Sequence, residues 1–188
     1  MRVKGGYDIP LAGRPQERVD VLPSPDRLYV PLWSRRFEFG RLEVSHGQRV
    51  EAGRPLARDG DSYGLPLLAP REATVELEGA PEGHVVLADV GDVASEPVEQ
   101  ERLEREAPAE LRDVPRGVLG LVELGAWQFF SDALTGGLPE PGRLPRAVVV
   151  STLNGEPFTA RGDVQLLSYM AAFIRGLEQL QGQIEYAP

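Results

Sequence analysis

The stretch LEVSHGQRVEAGRPLARDG, residues 42–60, and its continuation LLAPREATVEL, 67–77, leave the chain few folds to choose from. Val44, Gly47, Val50, Gly53, Leu56 and Ala57 mark a strand, a tight turn, a strand and a second turn. Glycine at the two turns permits the positive φ that such a reversal needs. Ala69-Pro70 then opens a strand ending in Val75. Short runs rich in Val and Leu, separated by Gly and Pro, predict strands near 28–33, 41–44, 54–58, 65–69, 73–78 and 84–88. The chain up to about residue 94 therefore reads as all-β.

Beyond it the character changes twice. Residues 95–113, SEPVEQERLEREAPAELRD, are densely charged and read as a solvated helix and linker, with Glu101 and Arg105 at the supportive i, i+4 spacing. Residues 114–188 alternate helix-like and strand-like segments, the pattern of an α/β domain. Pro115 suits the start of a helix through Val122, and Trp127–Leu134 predicts another, stopped by Gly136-Gly137. The apolar run RAVVVSTL, 146–153, fits a buried parallel strand. Residues 163–180 place Leu166, Met170, Phe173, Leu177 and Leu180 on one helical face, and GQIEYAP follows as a further strand. Strand, helix, strand is a βαβ unit. It needs more sheet than these residues supply, so a piece or a shortened relative of a longer protein is expected. The expected organisation is α+β in parts: 1–94, the linker 95–113, and a partial α/β domain, 114–188.

Composition removes whole classes of chemistry. The 188 residues contain no Cys, so disulfides, thiolate metal sites, iron–sulfur ligands and Cys nucleophiles are excluded together. A net charge of −9 argues against nucleic acid, which demands a cationic surface. Lys4 is the only lysine, and no G-x-x-x-x-G-K-[ST] phosphate loop occurs. No stretch approaches the roughly 18 apolar residues of a membrane span, and the N-terminus lacks a signal-peptide pattern. A cytoplasmic location is therefore expected. His46 and His84 lie in separate β segments with no partner at metal-ligand spacing, so no metal site is expected. GDSYG, 60–64, lacks the strand–helix context of a nucleophile elbow. In RGD, 161–163, Asp163 reads as a first-turn acid that favours the helix dipole.

The glycine pattern of residues 42–77 resembles the biotinyl/lipoyl-type barrel-sandwich hybrid, with Ala73 in place of the glycine usual before the last strand. Cofactor-carrying members of that fold hold a lysine on an exposed hairpin. Here the hairpin RDGDSYGLP has none, which excludes a swinging-arm carrier and leaves a structural or docking use. Before this domain stands KGGYDIPLAGRP, residues 4–15. Lys4, Gly5, Asp8, Pro10, Leu11, Ala12, Gly13 and Pro15 match the N-terminal motif of the A subunit of the sodium-translocating NADH:quinone oxidoreductases (Nqr), and the chain resembles that family. LGAWQFF, 124–130, and PEPGRLPRAVVVSTLNGEP, 139–157, are similar to later segments of the same family. The ribbon itself is expected to be an ordered clasp across both parts, burying Ile9 and Leu11 on one side. The C subunit of the Rnf electron-transport complex forms a sister family, and both are similar in their α/β part to the NADH-binding flavoprotein of complex I.

The resemblance implies a cytoplasmic-side subunit, peripheral to the inner membrane. Its partners would be membrane-embedded redox subunits and its quinone contact would come through the complex. Flavin-binding relatives carry a dense glycine loop whose amides approach phosphate closely. Here RGVLGLVELGAWQFF keeps Gly117, Gly120 and Gly125, while Val118, Leu119, Val122 and Leu124 intrude and Glu123 would repel a phosphate. An acidic E-x-E-P turn of those relatives is half kept in LNGEP, where Asn154 replaces the first acid and Glu156 remains. Candidate cofactor contacts are thus Asn154, Glu156, Trp127 and Phe130, although NGEP reads more readily as a plain turn and the aromatic cluster more readily as core. No tightly bound cofactor, no catalytic residue and no redox centre is expected. The alternatives are a divergent flavin or nucleotide binder, and a protein-docking module on the barrel-sandwich hybrid.

Overall fold

The computed structural model describes residues 13, 18–20, 22–92, 111, 114–152 and 162–184. The ribbon motif through Leu11, most of the charged linker, and Asn154 and Glu156 lie outside the described residues. The described chain divides into two compact units. One holds residues 13, 18–20, 22, 147–152 and 162–180. The other holds 23–92, 111, 114–146 and 181–184.

The second unit contains all seven strands found among the described residues. They are β1 (Arg27–Pro31), β2 (Arg41–Leu42), β3 (Arg49–Val50), β4 (Pro55–Arg58), β5 (Pro66–Leu68), β6 (Ala73–Glu76) and β7 (His84–Ala88). Antiparallel pairing gives a four-stranded sheet, β1-β7-β6-β3, and a three-stranded sheet, β2-β4-β5. The glycine turns are where the sequence puts them. Gly47 and Gly53 have φ of 76° and 78°, a region L side chains seldom enter. Gly47 N–H donates to the Val75 carbonyl at 2.7 Å and Gly53 N–H to that of Ala69 at 2.8 Å, so each turn is tied to the strand region it faces. Ala73 needs no positive φ: it opens β6 as a fully buried core residue.

Two cores follow from the side-chain alternation. Val44, Val50, Leu56, Ala69, Ala73, Val75, Val85 and Leu87 form one. Phe37, Phe39, Ala57, Leu65, Leu111, Val118, Val122 and Trp127 form the other. In β4, consecutive residues point to opposite faces. Leu56 enters the first core and Ala57 the second, which explains why β4 is buried on both sides.

The helices depart from the sequence-based expectations. The first, α1 (Arg116–Glu123), forms as expected, with Pro115 at its N-cap and Val118 and Val122 buried. Trp127–Leu134 is not an α-helix. Gly125, at φ 66°, breaks the chain direction, and only Ala126–Phe129 coils, as a 3-10 turn. The Asp132 carboxylate then accepts from the backbone N–H groups of Leu134 (2.9 Å) and Thr135 (2.8 Å), a local turn that competes with helix. The run at 146–153 does not form the expected buried strand over its described part. Val149 is 88% exposed, and Ala147–Val150 pairs with no strand among the described residues. The single helix expected over 163–180 is split into α2 (Gly162–Leu167) and α3 (Met170–Gln183). The Tyr169 N–H closes a tighter turn onto the Leu166 carbonyl at 2.8 Å between them. Because α3 runs to Gln183, the first residues of GQIEYAP are helical, and Ile184 is buried just beyond. The described part of 114–188 is therefore helical and irregular, without the βαβ unit of an α/β domain. The chain as described is an α+β mix of open sheets and a few helices.

Candidate functional site

Within the first unit, the end of the irregular run 147–152 and the start of α2 enclose an open hollow of about 690 Å³. Its wall is apolar, from Val19, Leu166, Tyr169 and Phe173, while Ser151, Thr152 and Gln165 bring polar atoms to it. Leu166 lies in α2, Phe173 in α3 and Tyr169 in the turn between them, so this helix–turn–helix stretch supplies most of the wall. Gly162 lies so close to the Thr152 carbonyl that a Cβ there would collide with it, and this lets the helix start approach the preceding segment. Tyr169 is the only ionisable residue among the described residues lining the hollow. The hollow can take a flat apolar ring with hydrogen-bonding edges. It holds no acid–base pair for catalysis among its described lining residues.

The segment RGVLGLVELGAWQFF, compared above with a flavin-type glycine loop, forms α1 and the short 3-10 turn after it. Leu119 N–H bonds to the Pro115 carbonyl (2.9 Å), Leu124 N–H to Gly120 (3.0 Å) and Gly125 N–H to Val122 (2.9 Å). These amides are committed to the helix, and Val118 and Val122, 1% and 0% exposed, point into the core. Gly117 packs against the Gln183 carbonyl, where a Cβ would collide with backbone.

Glu123 carries its charge to Arg58. Arg58, a buried residue of β4, sends Nη2 to Glu123 Oε2 at 3.1 Å and Nε to Glu43 Oε1 at 3.0 Å. Its Nη1 donates to the Gly64 carbonyl at 2.9 Å. The expectation that Glu123 stands against a phosphate gives way to this ion triad. No local pattern announces it, because Arg58 and Glu123 are 65 residues apart. The neighbouring Asp59, also buried, accepts from the N–H groups of Glu38 (2.9 Å), Asp61 (2.8 Å) and Ser62 (2.7 Å). Arg-Asp here braces the hairpin, and no buried side-chain polar atom among the described residues lacks a partner.

Trp127 and Phe130 are brought together, with ring centroids 4.9 Å apart. Trp127 is a core residue whose Nε1 donates to the Pro139 carbonyl at 2.9 Å, and neither ring lines the hollow. Arg36 fixes this corner by donating from Nη2 to the Phe130 carbonyl at 2.9 Å. His46 Nδ1 accepts from the Leu77 N–H at 3.1 Å, a turn contact. No group of three or more His, Asp or Glu side chains is placed to hold a metal among the described residues. No helix there is long and apolar enough to cross a membrane. Gly13, the one described residue of the N-terminal motif, is exposed and has φ 100°.

No family model matches the chain. Curated proteins that it resembles are components of a quinone reductase. Each is named as the A subunit of the Na(+)-translocating NADH-quinone reductase. The protein of Klebsiella pneumoniae (strain 342) is 29% identical over 185 residues, 96% of this chain and 40% of its own. That of Photorhabdus laumondii is 24% identical over 184 residues, again 96% and 40%. That of Rhodopirellula baltica is 26% identical over 183 residues, 95% and 40%. The resemblance to these proteins, seen first in the motif around Lys4 and Asp8, thus covers nearly the whole chain. The chain spans about two-fifths of the length of the curated relatives it matches.

Proposed function

We propose that this chain is a peripheral subunit, or the amino-terminal part of one, in a sodium-translocating NADH:quinone oxidoreductase. It would stand on the cytoplasmic side of the inner membrane, held by membrane-embedded redox subunits. The similarity to the quinone-reductase relatives across 96% of the chain carries this reading. Its contribution would be to support the complex and to shape the quinone region, with no redox centre of its own. The aromatic and aliphatic wall of the hollow, Tyr169, Phe173 and Leu166, suits a quinone ring presented by the assembled complex. We read residues 1–94 as a ribbon and a barrel-sandwich hybrid without a carrier lysine. Two small sheets joined by glycine turns, with β4 feeding both cores, support this reading. Within it, Lys4, Gly5, Asp8, Pro10 and Gly13 are the family motif, and Gly47 and Gly53 the structural glycines.

The test is affinity capture of the tagged full chain from detergent-solubilised native membranes. NADH:quinone reductase activity that co-purifies with the tag, and redox subunits identified beside it, are the expected result. Capture of the chain alone, from membranes that keep the activity, would overturn the proposal.

A further inference from the structure

The first unit leaves an unusual amount of apolar surface uncovered. Val149 and Val150 are 88% and 49% exposed, in a run whose β-branched composition suits a strand and which finds no strand partner among the described residues. On α3, Met170, Ile174 and Leu177 follow i, i+4, i+7 spacing and are 43%, 48% and 36% exposed. They extend the sector in which Phe173 and Leu180 are half-buried. Helices that meet water on this scale usually carry charge there. In a chain that is 26% charged, α3 has only Arg175 and Glu178 among its 14 residues, and its exposed positions include Ala171, Ala172 and Gly176. Uncovered apolar surface on a helix, together with a strand-like run that has no strand partner among the described residues, marks a place where another layer of protein belongs.

The matched relatives point to what that layer is, because they contain far more chain than the part this protein resembles. We infer that Ala147–Val150 and the Met170–Ile174–Leu177 stripe are the docking face for a polypeptide equivalent to the unmatched part of those relatives. That polypeptide would add a strand along 147–150 and an apolar layer over α3, closing the sheet that the sequence pattern of 146–180 calls for. The inference rests on the kinship with the quinone-reductase relatives and not on the redox role proposed above.

The experiment co-expresses the full 188-residue chain with the part of the Klebsiella pneumoniae relative that lies outside the matched region. A stable complex is expected, with amide exchange slowed at 147–150 and along α3. Val149→Glu and Ile174→Glu should each weaken it at least tenfold, and Leu134→Glu, on an exposed loop of the other unit, should not. Unchanged far-ultraviolet circular dichroism and melting of the free variants show that folding is intact. Failure of the two polypeptides to associate would overturn the inference. So would a complex indifferent to both substitutions, or the same protection arising from self-association of the chain alone. Any of these leaves the membrane-capture result standing, so the two proposals fail separately.

Discussion

Replacing Arg58 with Met keeps most of its bulk but strands two carboxylates. Glu43 and Glu123 retain 27% and 19% side-chain exposure, so water relieves part of the penalty. Breaking such a buried pair costs about 3–5 kcal/mol when it is dry, and the lower end is expected here. Chemical denaturation of Arg58→Met should show a loss of roughly 3 kcal/mol, and adding Glu123→Gln should return part of it. A second residue-scale case is Asp132. The N–H groups of Thr135 and Leu134, the Thr135 hydroxyl and the charge of Arg143 hold its carboxyl below the ordinary 3.8. A depressed folded pKa contributes stability that is present above the unfolded value and lost as pH falls through the folded one. Amide protection at Leu134 and Thr135 should therefore persist at neutral pH and fall only below about pH 4. In Asp132→Ala, hydrogen exchange there should be fast at every pH.

At the scale of elements, Gly117 separates two opposing rules. Alanine favours a helix over glycine by about 1 kcal/mol, so Gly117→Ala should stabilise α1 in isolation. Its Cβ would collide with the backbone carbonyl of Gln183, which cannot swing away like a flexible side chain. Overpacking of this kind costs about 1–3 kcal/mol, and we expect the variant to melt lower than the parent protein. A higher melting temperature would show that the contact yields. The elements also show what could be read from sequence. The strands near 28–33, 54–58, 73–78 and 84–88 were legible because glycine turns and alternating apolar residues are local signals, and α1 because Pro115 and its apolar face are too. The run 146–153 misled because β-branched composition reports suitability for a sheet, while a strand exists only where a partner edge is supplied. Trp127–Leu134 misled because the Asp132 turn captured the backbone before a helix could continue. Of the candidate site, the hollow was not legible, since Val19, Thr152 and Tyr169 meet only through tertiary structure. Trp127 and Phe130 were recognised as a cluster, but which face they present is decided by the fold.

For the whole molecule the cofactor question is measurable. We expect neither FMN nor NADH to bind the purified chain tightly. The charge of Glu123 is not the main reason, since Arg58, which it shares with Glu43, offsets part of it. The support is that the α1 amides bond within the helix, so none is offered to a phosphate along 119–125. Titration followed by flavin fluorescence should show no saturable binding below about 10 μM, near −7 kcal/mol. Saturation below that concentration would favour the flavin-binding alternative, with the hollow as the place to look.

The Arg58–Glu123 pair has a kinetic counterpart. It joins positions 65 residues apart, so α1 can dock on β4 only after a long loop has closed, at a chain-entropy cost that adjacent antiparallel strands do not face. The β2-β4-β5 sheet and the β6–β7 pair can assemble from nearer contacts first, whereas β1 meets β7 across almost as long a separation. The buried guanidinium then acts on the way out rather than on the way in. Arg58→Met should raise the unfolding rate in stopped-flow measurements by nearly its whole effect on stability, while refolding proceeds at close to the parent rate. A seal of this sort sets how long the folded protein lasts, and leaves how fast it is made to the strands.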